Sequence, residues 1–505
     1  MSRVTVDIDL NRVEGDLEFQ VDLEDGVVVD ARCIGTLYRG FEQIMIGRAP
    51  RDSLVITPRV CGICGTAHLY AATLALEQIA NITPPAHAVH VRNLCLMAET
   101  LQSDLRQTFL FFTPDFCNAI YAGQPLAGQL QDAFAPLKGS VVRGTLKATR
   151  DLLGIVALFG GQWPHSTYML PGGISQPANS RRILDSRDIL AAVRAWFEQT
   201  VIGGSLDEWM ALDNGEALFR WQAAAAGRER SGAGLFNRFA RDIGLHRLGR
   251  GTGHLLSYGA NIRPGEQQRE LAAGFFNAET QQIEPLDQAQ INEHVRHSWF
   301  LPYQGGRHPW QGETIPDHQP GTDRYTWAKA PRYGDKVVQT GPLAELRMAG
   351  DPLISDLLAR EGDNTWLRQF ARLRRAGWLL DAMANTLQAI KACQNEPHFV
   401  DPGIDVWPDG ESFGLVEAAR GALGHWLRIR NGVIDRYQIV TPTAWNASPR
   451  DSAGRHGHWE QSIIGLRVPD PANPVEIGHI VRSHDPCLVC TVHFIGSQRK
   501  TRFNV

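Results

Sequence analysis

Apolar residues recur at every second position near the start of the chain, and this alternation predicts strands. Glycine and acidic residues interrupt the alternation twice, so we expect three strands, over residues 4–10, 17–23 and 27–34. From His68 onward the apolar residues recur at three- and four-residue intervals, which predicts a helix that Pro84 and Pro85 end. The same spacing predicts further helices over residues 86–112, 140–159, 186–201 and 365–394.

The second half of the chain has a less regular pattern. Residues 261–340 are rich in glycine, proline, tryptophan and polar residues, which indicates strands and loops. Because Gly432 interrupts the apolar pattern, we expect residues 412–436 to form a helix or turn followed by a strand. The pattern of residues 469–493 predicts a loop that leads into a short helix at 477–483. The predicted class is α+β, mainly helical, with a smaller antiparallel β component.

The composition is that of a globular protein with a large core. Of the 505 residues, 43% are hydrophobic and 21% are charged, with a net charge of −4. No dense patch of lysine and arginine is present, which argues against a nucleic-acid-binding protein. No apolar run reaches the ~18 residues of a membrane-spanning helix, so we expect membrane contact only through other subunits. The N-terminus has no signal-peptide core, which predicts the cytoplasm or the cytoplasmic face of the membrane unless a partner's signal directs export.

Two Cys-x-x-Cys pairs stand near opposite ends of the chain, and a histidine follows each pair. Cys61 and Cys64 precede His68, whereas Cys487 and Cys490 precede His493. A tight turn brings side chains at this spacing together, and thiolates favour zinc, iron–sulfur clusters, copper or nickel. The other four cysteines are scattered among apolar residues and are expected to be buried thiols of a protein assembled in a reducing compartment: Cys33, Cys95, Cys117 and Cys393.

The spacing alone leaves three interpretations of the two pairs open. Structural zinc is one, although zinc pairs usually lie tens of residues apart because the metal folds a small module. A redox-active metal is the second interpretation. Disulfide chemistry is the third, but it explains only one pair, and neither pair lies in a βαβ context. Each metal interpretation requires the fold to bring the two ends of the chain together.

The residues that flank the cysteines carry a resemblance to a known family. The segment from Arg59 to His68 resembles the Arg-x-Cys-Gly-x-Cys-x-x-x-His signature of nickel–iron hydrogenase large subunits. The segment from Asp485 to His493 resembles the Asp-Pro-Cys-x-x-Cys-x-x-His signature of the same family. Further blocks resemble the family at residues 11–15, 38–42, 170–174, 417–425 and 437–446.

This resemblance implies the nickel–iron hydrogenase large-subunit fold over one catalytic unit, residues 1–493. Within it we expect a β-rich part over 1–60, a helical core over 61–260, a β- and loop-rich part over 261–345, and a helical, metal-binding part over 346–493. Residues 494–505 are then expected to be an extension that a maturation protease removes after nickel insertion. Intact mass of the metal-loaded protein tests this expectation.

The resemblance also implies the ligands and the reaction. Cys61, Cys64, Cys487 and Cys490 would hold nickel, and Cys64 and Cys490 would also bridge to an iron that carries carbon monoxide and cyanide. The activity would be heterolytic oxidation of H2, reversible in principle. Cys490 or Cys487 is the expected base.

Other matching residues receive roles around that site. Arg420 would position and polarise H2, since its very high pKa makes it a poor base, and Asp485 would orient it. Glu14 would carry the proton outward, and His68 would hydrogen-bond a bridging sulfur. Glu42, the backbone carbonyl near Ile439 and His493 would bind a hydrated magnesium ion.

The remaining cysteines supply no second cluster motif, so an iron–sulfur small subunit is the expected electron-accepting partner. The assembly would be a heterodimer or larger, with tryptophan-rich apolar faces at the interface and with nickel-insertion proteins as transient partners. The alternative function is a regulatory H2 sensor that signals to a kinase. A quinone-site subunit of complex I would lack the four cysteines, and a zinc-stabilised structural subunit is a further alternative.

Three positions depart from the family pattern: Asp16, Ala419, and Ser103, which has Asp104 beside it. Together with the short chain they suggest the branch of cyanobacterial-type uptake and H2-sensing enzymes. Because sensors often lack a C-terminal extension, residues 494–505 favour an uptake enzyme.

Overall fold

A computed structural model describes residues 3–13, 15, 17–266 and 268–487. The strands in this part are β1 Arg3–Asp9, β2 Leu17–Glu24, β3 Val27–Gly35, β4 Met169–Leu170, β5 Gly173–Ile174, β6 Leu255–Ser257, β7 Ala260–Ile262, β8 Arg269–Leu271, β9 Gly274–Asn277, β10 Gln282–Glu284, β11 Ile291–His294, β12 Ala330–Tyr333, β13 Gly410–Ala418, β14 Gly421–Arg430 and β15 Val433–Val440.

The α-helices in the same described part are α1 Phe41–Met45, α2 Ser53–Ile56, α3 Gly65–Ala80, α4 Ala86–Arg106, α5 Ala127–Phe134, α6 Ser140–Gly160, α7 Ser180–Trp196, α8 Leu206–Met210, α9 Gly215–Ala223, α10 Ala226–Arg230, α11 Gly232–Asp242, α12 Pro342–Met348, α13 Pro352–Glu361, α14 Thr365–Ala392, α15 Pro442–Asn446, α16 His458–Ile463 and α17 Val475–Arg482. Helices dominate and the sheets are small and antiparallel, which confirms the predicted α+β class.

The three N-terminal strands form the antiparallel sheet β1-β2-β3, as the alternation of apolar residues predicts. Alternate residues of β2 are buried because one face of the sheet packs on α16 and α17. Phe19 contacts Trp459 from that face, and Ile477 and Ile480 belong to the same apolar cluster. The sheet therefore lies against the helix that leads into Cys487.

The main core is built from long helices, of which α4, α6 and α14 pack together. α14 buries Trp366 and Phe370 completely, and each such side chain contributes about 2 kcal/mol or more to folding. The predicted helix over 86–112 continues beyond α4 as a π-helix over Gln107–Phe112. The helix predicted at 186–201 begins earlier, at Ser180, where Asn179 accepts a hydrogen bond from the Arg182 N–H as the N-cap.

The strand predicted within residues 412–436 is present, but the helix or turn predicted before it is wrong, because the segment also contains strands of the antiparallel sheet β13-β14-β15 from its start. β14 is buried on both faces over most of its length, so the alternation that reveals a strand is absent. β13 packs directly on α3: a Cβ at Gly414 would lie 1.9 Å from the Ala71 carbonyl oxygen. Gly414 therefore allows the sheet that carries Arg420 to approach the helix that follows Cys64.

The scattered cysteines follow the prediction except at one position. Cys33, Cys95 and Cys393 are buried, whereas Cys117 is only partly buried. Within the described ranges, no helix is both long enough and apolar enough to cross a membrane.

Candidate active site

Three of the four predicted thiol ligands meet in the interior. Cys61 and Cys64 lie in the bend before α3, where Cys64 is the N-cap residue, and Cys487 lies five residues beyond α17. Cys61, Cys64 and Cys487 are 1%, 5% and 0% exposed, respectively. The Cys61 and Cys487 sulfur atoms are 3.5 Å apart although 426 residues separate them. The fold thus joins the two ends of the chain, as a shared metal site requires.

Local backbone contacts hold these cysteines in place. The Ile63 N–H points to the Cys61 sulfur at 3.4 Å, and the Cys487 N–H donates to the Thr443 hydroxyl at 3.3 Å. Glu99 on α4 accepts the N–H groups of Thr66 and Ala67, at 3.0 and 3.2 Å. This carboxyl group lies at the N-terminus of α3, where the backbone donors and the helix dipole partly offset the burial that raises its pKa.

Arg420 is the cation of the site. It lies in the turn between β13 and β14, next to Gly421, whose φ of 126° suits glycine. The Arg420 Nε donates to the Asp485 carbonyl oxygen at 3.2 Å, and its Nη2 lies 3.1 Å from Asp485 Oδ1. Its Nη1 has no hydrogen-bond partner among the described residues.

Electrostatics links Arg420 to the thiols. Burial by itself lowers the pKa of Arg420, but the Asp485 carboxylate and the thiolates of Cys487, Cys61 and Cys64 raise it well above its ordinary value. The guanidinium therefore stays charged and offsets part of the negative charge that clustered thiolates carry. This donor set fits a soft metal ion.

A buried network of charges supports Asp485, and it was not predicted. Arg372 of α14 lies 3.7 Å from Asp485 Oδ2 and 3.5 Å from Asp104 Oδ1. Arg375 donates to both oxygens of Asp104, at 2.8 and 2.7 Å, and also binds Glu345. Asp104, rather than its neighbour Ser103, therefore supplies the carboxylate of α4 that connects to the site.

His68 lies in the first turns of α3 and is part of a buried hydrogen-bonded chain. Its Nδ1 is 3.0 Å from His425 Nε2, and His425 Nδ1 is 2.8 Å from the Tyr437 hydroxyl. Burial lowers the pKa of His68 to about 4, although the Cys61 thiolate acts in the opposite direction. His425 and Tyr437 fall within two of the family-like blocks, but nothing in those blocks marked either residue.

Glu42 lies in a separate buried cluster of oxygen-bearing side chains. Lys329 binds Glu42 at 3.1 Å, Glu293 at 2.8 Å and the Gln438 amide oxygen at 2.7 Å. The Ile439 backbone meets Glu42 through its N–H, at 2.9 Å. The prediction assigned the carbonyl of this region to a metal ion, and the contact that the structure shows comes from the N–H.

Three predicted site residues lie outside the described residues: Glu14, Cys490 and His493. Within the described residues, no three histidine, cysteine or acidic side chains form a metal-binding group by themselves.

Comparison with known proteins gives consistent matches over almost the whole chain. A family model described as nickel-dependent hydrogenase matches residues 39–129 and 239–493, which include both cysteine pairs. The periplasmic NiFeSe hydrogenase large subunit of Desulfomicrobium baculatum is 31% identical, over 98% of this chain and 96% of that protein. The uptake hydrogenase large subunit of Rhodobacter capsulatus is 27% identical, over 98% and 96%.

Solved structures agree with these sequence matches. The Ni-Fe-Se hydrogenase from D. vulgaris Hildenborough, in its as-isolated oxidized state, has a TM-score of 0.82 and 29% identity. That match covers 97% of this chain and 100% of the other. The similarity therefore extends through the fold as well as through the cysteine motifs.

Proposed function

This chain belongs to the nickel-dependent hydrogenase family, as a hydrogenase large subunit, and on that premise we propose which of its residues form the active site. Cys61, Cys64, Cys487 and Cys490 would hold nickel, and Cys64 and Cys490 would also hold iron. The observation that carries this assignment is the 3.5 Å contact between the Cys61 and Cys487 sulfurs beside the buried Arg420.

When bound, nickel and iron supply the Lewis-acid and redox centre at which H2 is split heterolytically. The iron carries carbon monoxide and cyanide ligands in this proposal. Arg420 positions and polarises H2, because its guanidinium is held rigidly at Asp485 and keeps one nitrogen without a partner among the described residues. Asp485 orients Arg420, and the Arg372 guanidinium lies 3.7 Å from the other oxygen of Asp485, close enough for electrostatic attraction.

Proton release is assigned to Cys490 or Cys487 as the base and to Glu14 as the exit. Support comes from residues that precede Glu14 in the chain. The Arg482 Nη2 donates to the Asn11 side chain at 2.8 Å, and Arg482 stands five residues before Cys487. The segment that leads to Glu14 therefore passes Arg482, which lies in the segment that leads to Cys487.

His68 donates a hydrogen bond to a bridging sulfur and so tunes the metal electronically. A magnesium ion bound by Glu42, the carbonyl near Ile439 and His493 is the third metal of the proposal. Carboxylate oxygens are hard ligands that suit magnesium, and Glu42 supplies one; the ion would compete for it with the Lys329 ammonium, which lies 3.1 Å from Glu42. Metal analysis of the purified complex, before and after chelation, tests the magnesium assignment.

The partner is an iron–sulfur small subunit in a heterodimer or larger assembly. Five tryptophans are almost fully buried, including Trp445 and Trp459, so these five cannot contribute to the predicted tryptophan-rich interface. Exposed aliphatic side chains instead lie on the segments that lead into Cys61: Ile44 and Ile46 are 41% and 47% exposed and Val55 is 47% exposed. We propose that the small subunit docks there, because electron transfer requires a short path from the thiolates.

The physiological direction is H2 oxidation, as in the relative named an uptake hydrogenase. A regulatory H2 sensor is the alternative, and neither relative reported above is named a sensor. Nickel-insertion proteins and a protease that removes residues 494–505 complete the maturation proposal, with residues 1–493 as one catalytic fold. Intact mass of the nickel-loaded protein ending at His493 would support removal, and a full-length active protein would contradict it.

The proposed compartment is the cytoplasm or the cytoplasmic face of the membrane. The Desulfomicrobium baculatum relative is named as periplasmic, so export on a partner's signal is the competing proposal. Cell fractionation with the small subunit's first residues deleted distinguishes the two.

The central experiment measures nickel content and H2 oxidation of the chain purified with its small subunit. Cys487→Ser should abolish both, because a hydroxyl is a poor ligand for a soft metal. Cys95→Ser is the matched control, since Cys95 is equally buried but lies in α4 outside the thiol cluster. Nickel retention with full activity in Cys487→Ser would contradict the ligand assignment.

A further inference from the structure

Asp115 is a buried carboxylate that joins a segment near the start of the chain to a segment near its end. Its side chain is 11% exposed and lies just after the π-helix that extends α4. The Arg482 Nη1 donates to Asp115 Oδ2 at 2.7 Å, and the Arg12 Nη2 donates to Asp115 Oδ1. Arg12 belongs to the segment that leads to Glu14, and Arg482 ends α17. One carboxylate thus binds a cation from each segment.

The two segments also contact each other directly. The Arg482 Nε donates to the Asn11 carbonyl oxygen at 3.2 Å, and the Arg482 Nη2 donates to Asn11 Oδ1 at 2.8 Å. The same Asn11 side chain accepts from the Arg12 Nε at 3.3 Å. The Arg482 carbonyl oxygen accepts from the Gln369 amide of α14 at 3.2 Å. Asn11 and Arg12 are therefore fixed to the segment that carries Cys487 into the thiol cluster.

Arg12 adopts a backbone conformation that is disfavoured for a residue with a Cβ. Its φ is 56°, in the left-handed region. Such a conformation persists only where the surrounding contacts over-determine it. The Arg12 Nη1 donates to the Phe111 carbonyl oxygen at 3.2 Å, within the π-helix, and π-helical turns occur frequently at functional sites. The contacts of Arg12 with Phe111 and Asp115 supply the constraint that its backbone requires.

Asp115 keeps the negative charge on which these contacts depend. Burial by itself raises its pKa, but the cations around it, above all Arg482, hold the pKa below its ordinary value. His479 of α17 approaches the same carboxylate, with its Nδ1 3.8 Å from Asp115 Oδ2, and its Nε2 is hydrogen-bonded by Tyr121 at 3.0 Å. An ionised carboxylate between two guanidinium groups resists displacement of either one, because separating a buried ion pair is costly.

We propose that Asp115 is a positioning residue that fixes Asn11 and Arg12 relative to the segment that carries Cys487. This inference rests on the proposed function, because it serves proton release from the thiolates to Glu14. Proton transfer requires its donor and acceptor within hydrogen-bond reach, and a misplacement of about 1 Å can lower a rate by about a hundredfold. Asp115 touches no reacting atom and acts through the two segments that it joins.

The test is exchange of H2 with deuterated solvent, measured per bound nickel in the holoenzyme with its small subunit. This exchange requires proton release but no electron acceptor, so it reports the proton route alone. Asp115→Asn keeps the shape of the side chain but removes the charge that both arginines bind, and it should lower the exchange by about tenfold. Nickel content should equal that of the wild type, because Gln369 and Thr443 still hold the segment of Cys487.

Asn11→Ala is a milder second variant. It removes the side-chain contact with Arg482 but keeps the contact of the backbone carbonyl, so the exchange should fall by a smaller factor. Because Asn11 is exposed, this variant should fold normally, and it decides alone if Asp115→Asn does not fold. Asp451→Asn is the matched control. Asp451 is fully buried beside Arg332, its partners lie in neither segment, and its exchange per nickel should stay at the wild-type value.

A double variant tests whether Asp115 acts through Glu14. In a Glu14→Gln background, Asp115→Asn should cause no further loss of exchange, because the route that it aligns is already blocked. A further loss of about tenfold in that background would overturn the inference, as would wild-type exchange in Asp115→Asn. An equal loss in Asp451→Asn would also overturn it, since the effect would then follow from reduced stability alone.

Failure of this inference is distinguishable from failure of the proposed function. Unchanged exchange in Glu14→Gln alone would contradict the proposed proton exit before any variant of Asp115 is compared. Suppressed exchange in Glu14→Gln, together with wild-type exchange in Asp115→Asn, would overturn only the role of Asp115.

Discussion

Arg420→Lys separates the charge of Arg420 from its geometry. Lysine keeps the positive charge beside the thiolates but has one nitrogen in place of the planar guanidinium. Arg420 makes two contacts with Asp485, to the carbonyl oxygen at 3.2 Å and to Oδ1 at 3.1 Å, and its remaining nitrogen has no partner in the described part of the chain. A lysine has a single nitrogen, so it cannot keep both contacts with Asp485 and also place a nitrogen where Arg420 Nη1 lies.

The expected loss of turnover can be estimated from the hydrogen bonds that the lysine cannot make. Two hydrogen bonds of a charged donor, at about 1.5 kcal/mol each, amount to about 3 kcal/mol. If that energy is expressed in the transition state, turnover falls by about a hundredfold, because each 1.4 kcal/mol is a factor of about ten. The four thiol positions are untouched, so nickel and iron contents should equal those of the wild type.

The assay is H2 oxidation by the complex with its small subunit, expressed per bound nickel. Arg332→Lys is the matched control, because Arg332 is equally buried and binds Asp451 at 3.0 Å far along the chain from the cysteines. The control should lose stability but keep its turnover per nickel. Wild-type turnover in Arg420→Lys would refute a positioning role for the guanidinium.

Three more predictions test other parts of the account. Glu14→Gln should retain the metals but suppress hydrogen–deuterium exchange between H2 and solvent, and unchanged exchange would remove Glu14 from the relay. Asp115→Asn removes a carboxylate, 11% exposed, between an arginine of the N-terminal loop and one of α17, so unfolding by urea should become about 3 kcal/mol easier, whereas Asp151→Asn, at the more exposed Asp151 (27%), should change it by less than about 1 kcal/mol. Burial raises the pKa of Glu99 to about 7, so Glu99 holds an extra proton in the folded state between pH 4.5 and 7; the stability of the wild type relative to Glu99→Gln should therefore fall by up to about 3 kcal/mol as pH rises through that window. An equal difference in urea stability between the two proteins at pH 5 and at pH 7 would contradict the last prediction.

The secondary structure could be predicted from the sequence where an element buries only one of its faces. β1, β2 and β3 have one face on α16 and α17, so their apolar residues alternate visibly. β14 has no such alternation, because residues from Gly421 to Leu427 are all buried. A strand buried on both faces has the same continuous apolar pattern as a buried helix, and this explains the error at 412–436.

The residues of the candidate active site also differ in whether a local sequence pattern marks them. The cysteine pairs could be predicted because each is a short sequence motif whose spacing lets both sulfur atoms bind one metal ion. Arg372, Asp104 and Tyr437 could not, since each is a single residue that becomes meaningful only when separate elements pack together. Arg372 and Arg375 of α14 are buried and paired with acids, and only the packing of α14 on α4 provides those partners.

X-ray absorption at the nickel edge of the purified complex tests the central claim most directly. We expect nickel surrounded mainly by sulfur with an iron atom as its near neighbour, and loss of this signal in Cys487→Ser but not in Cys95→Ser. Zinc in place of nickel, or nickel bound mainly by nitrogen and oxygen, would contradict it.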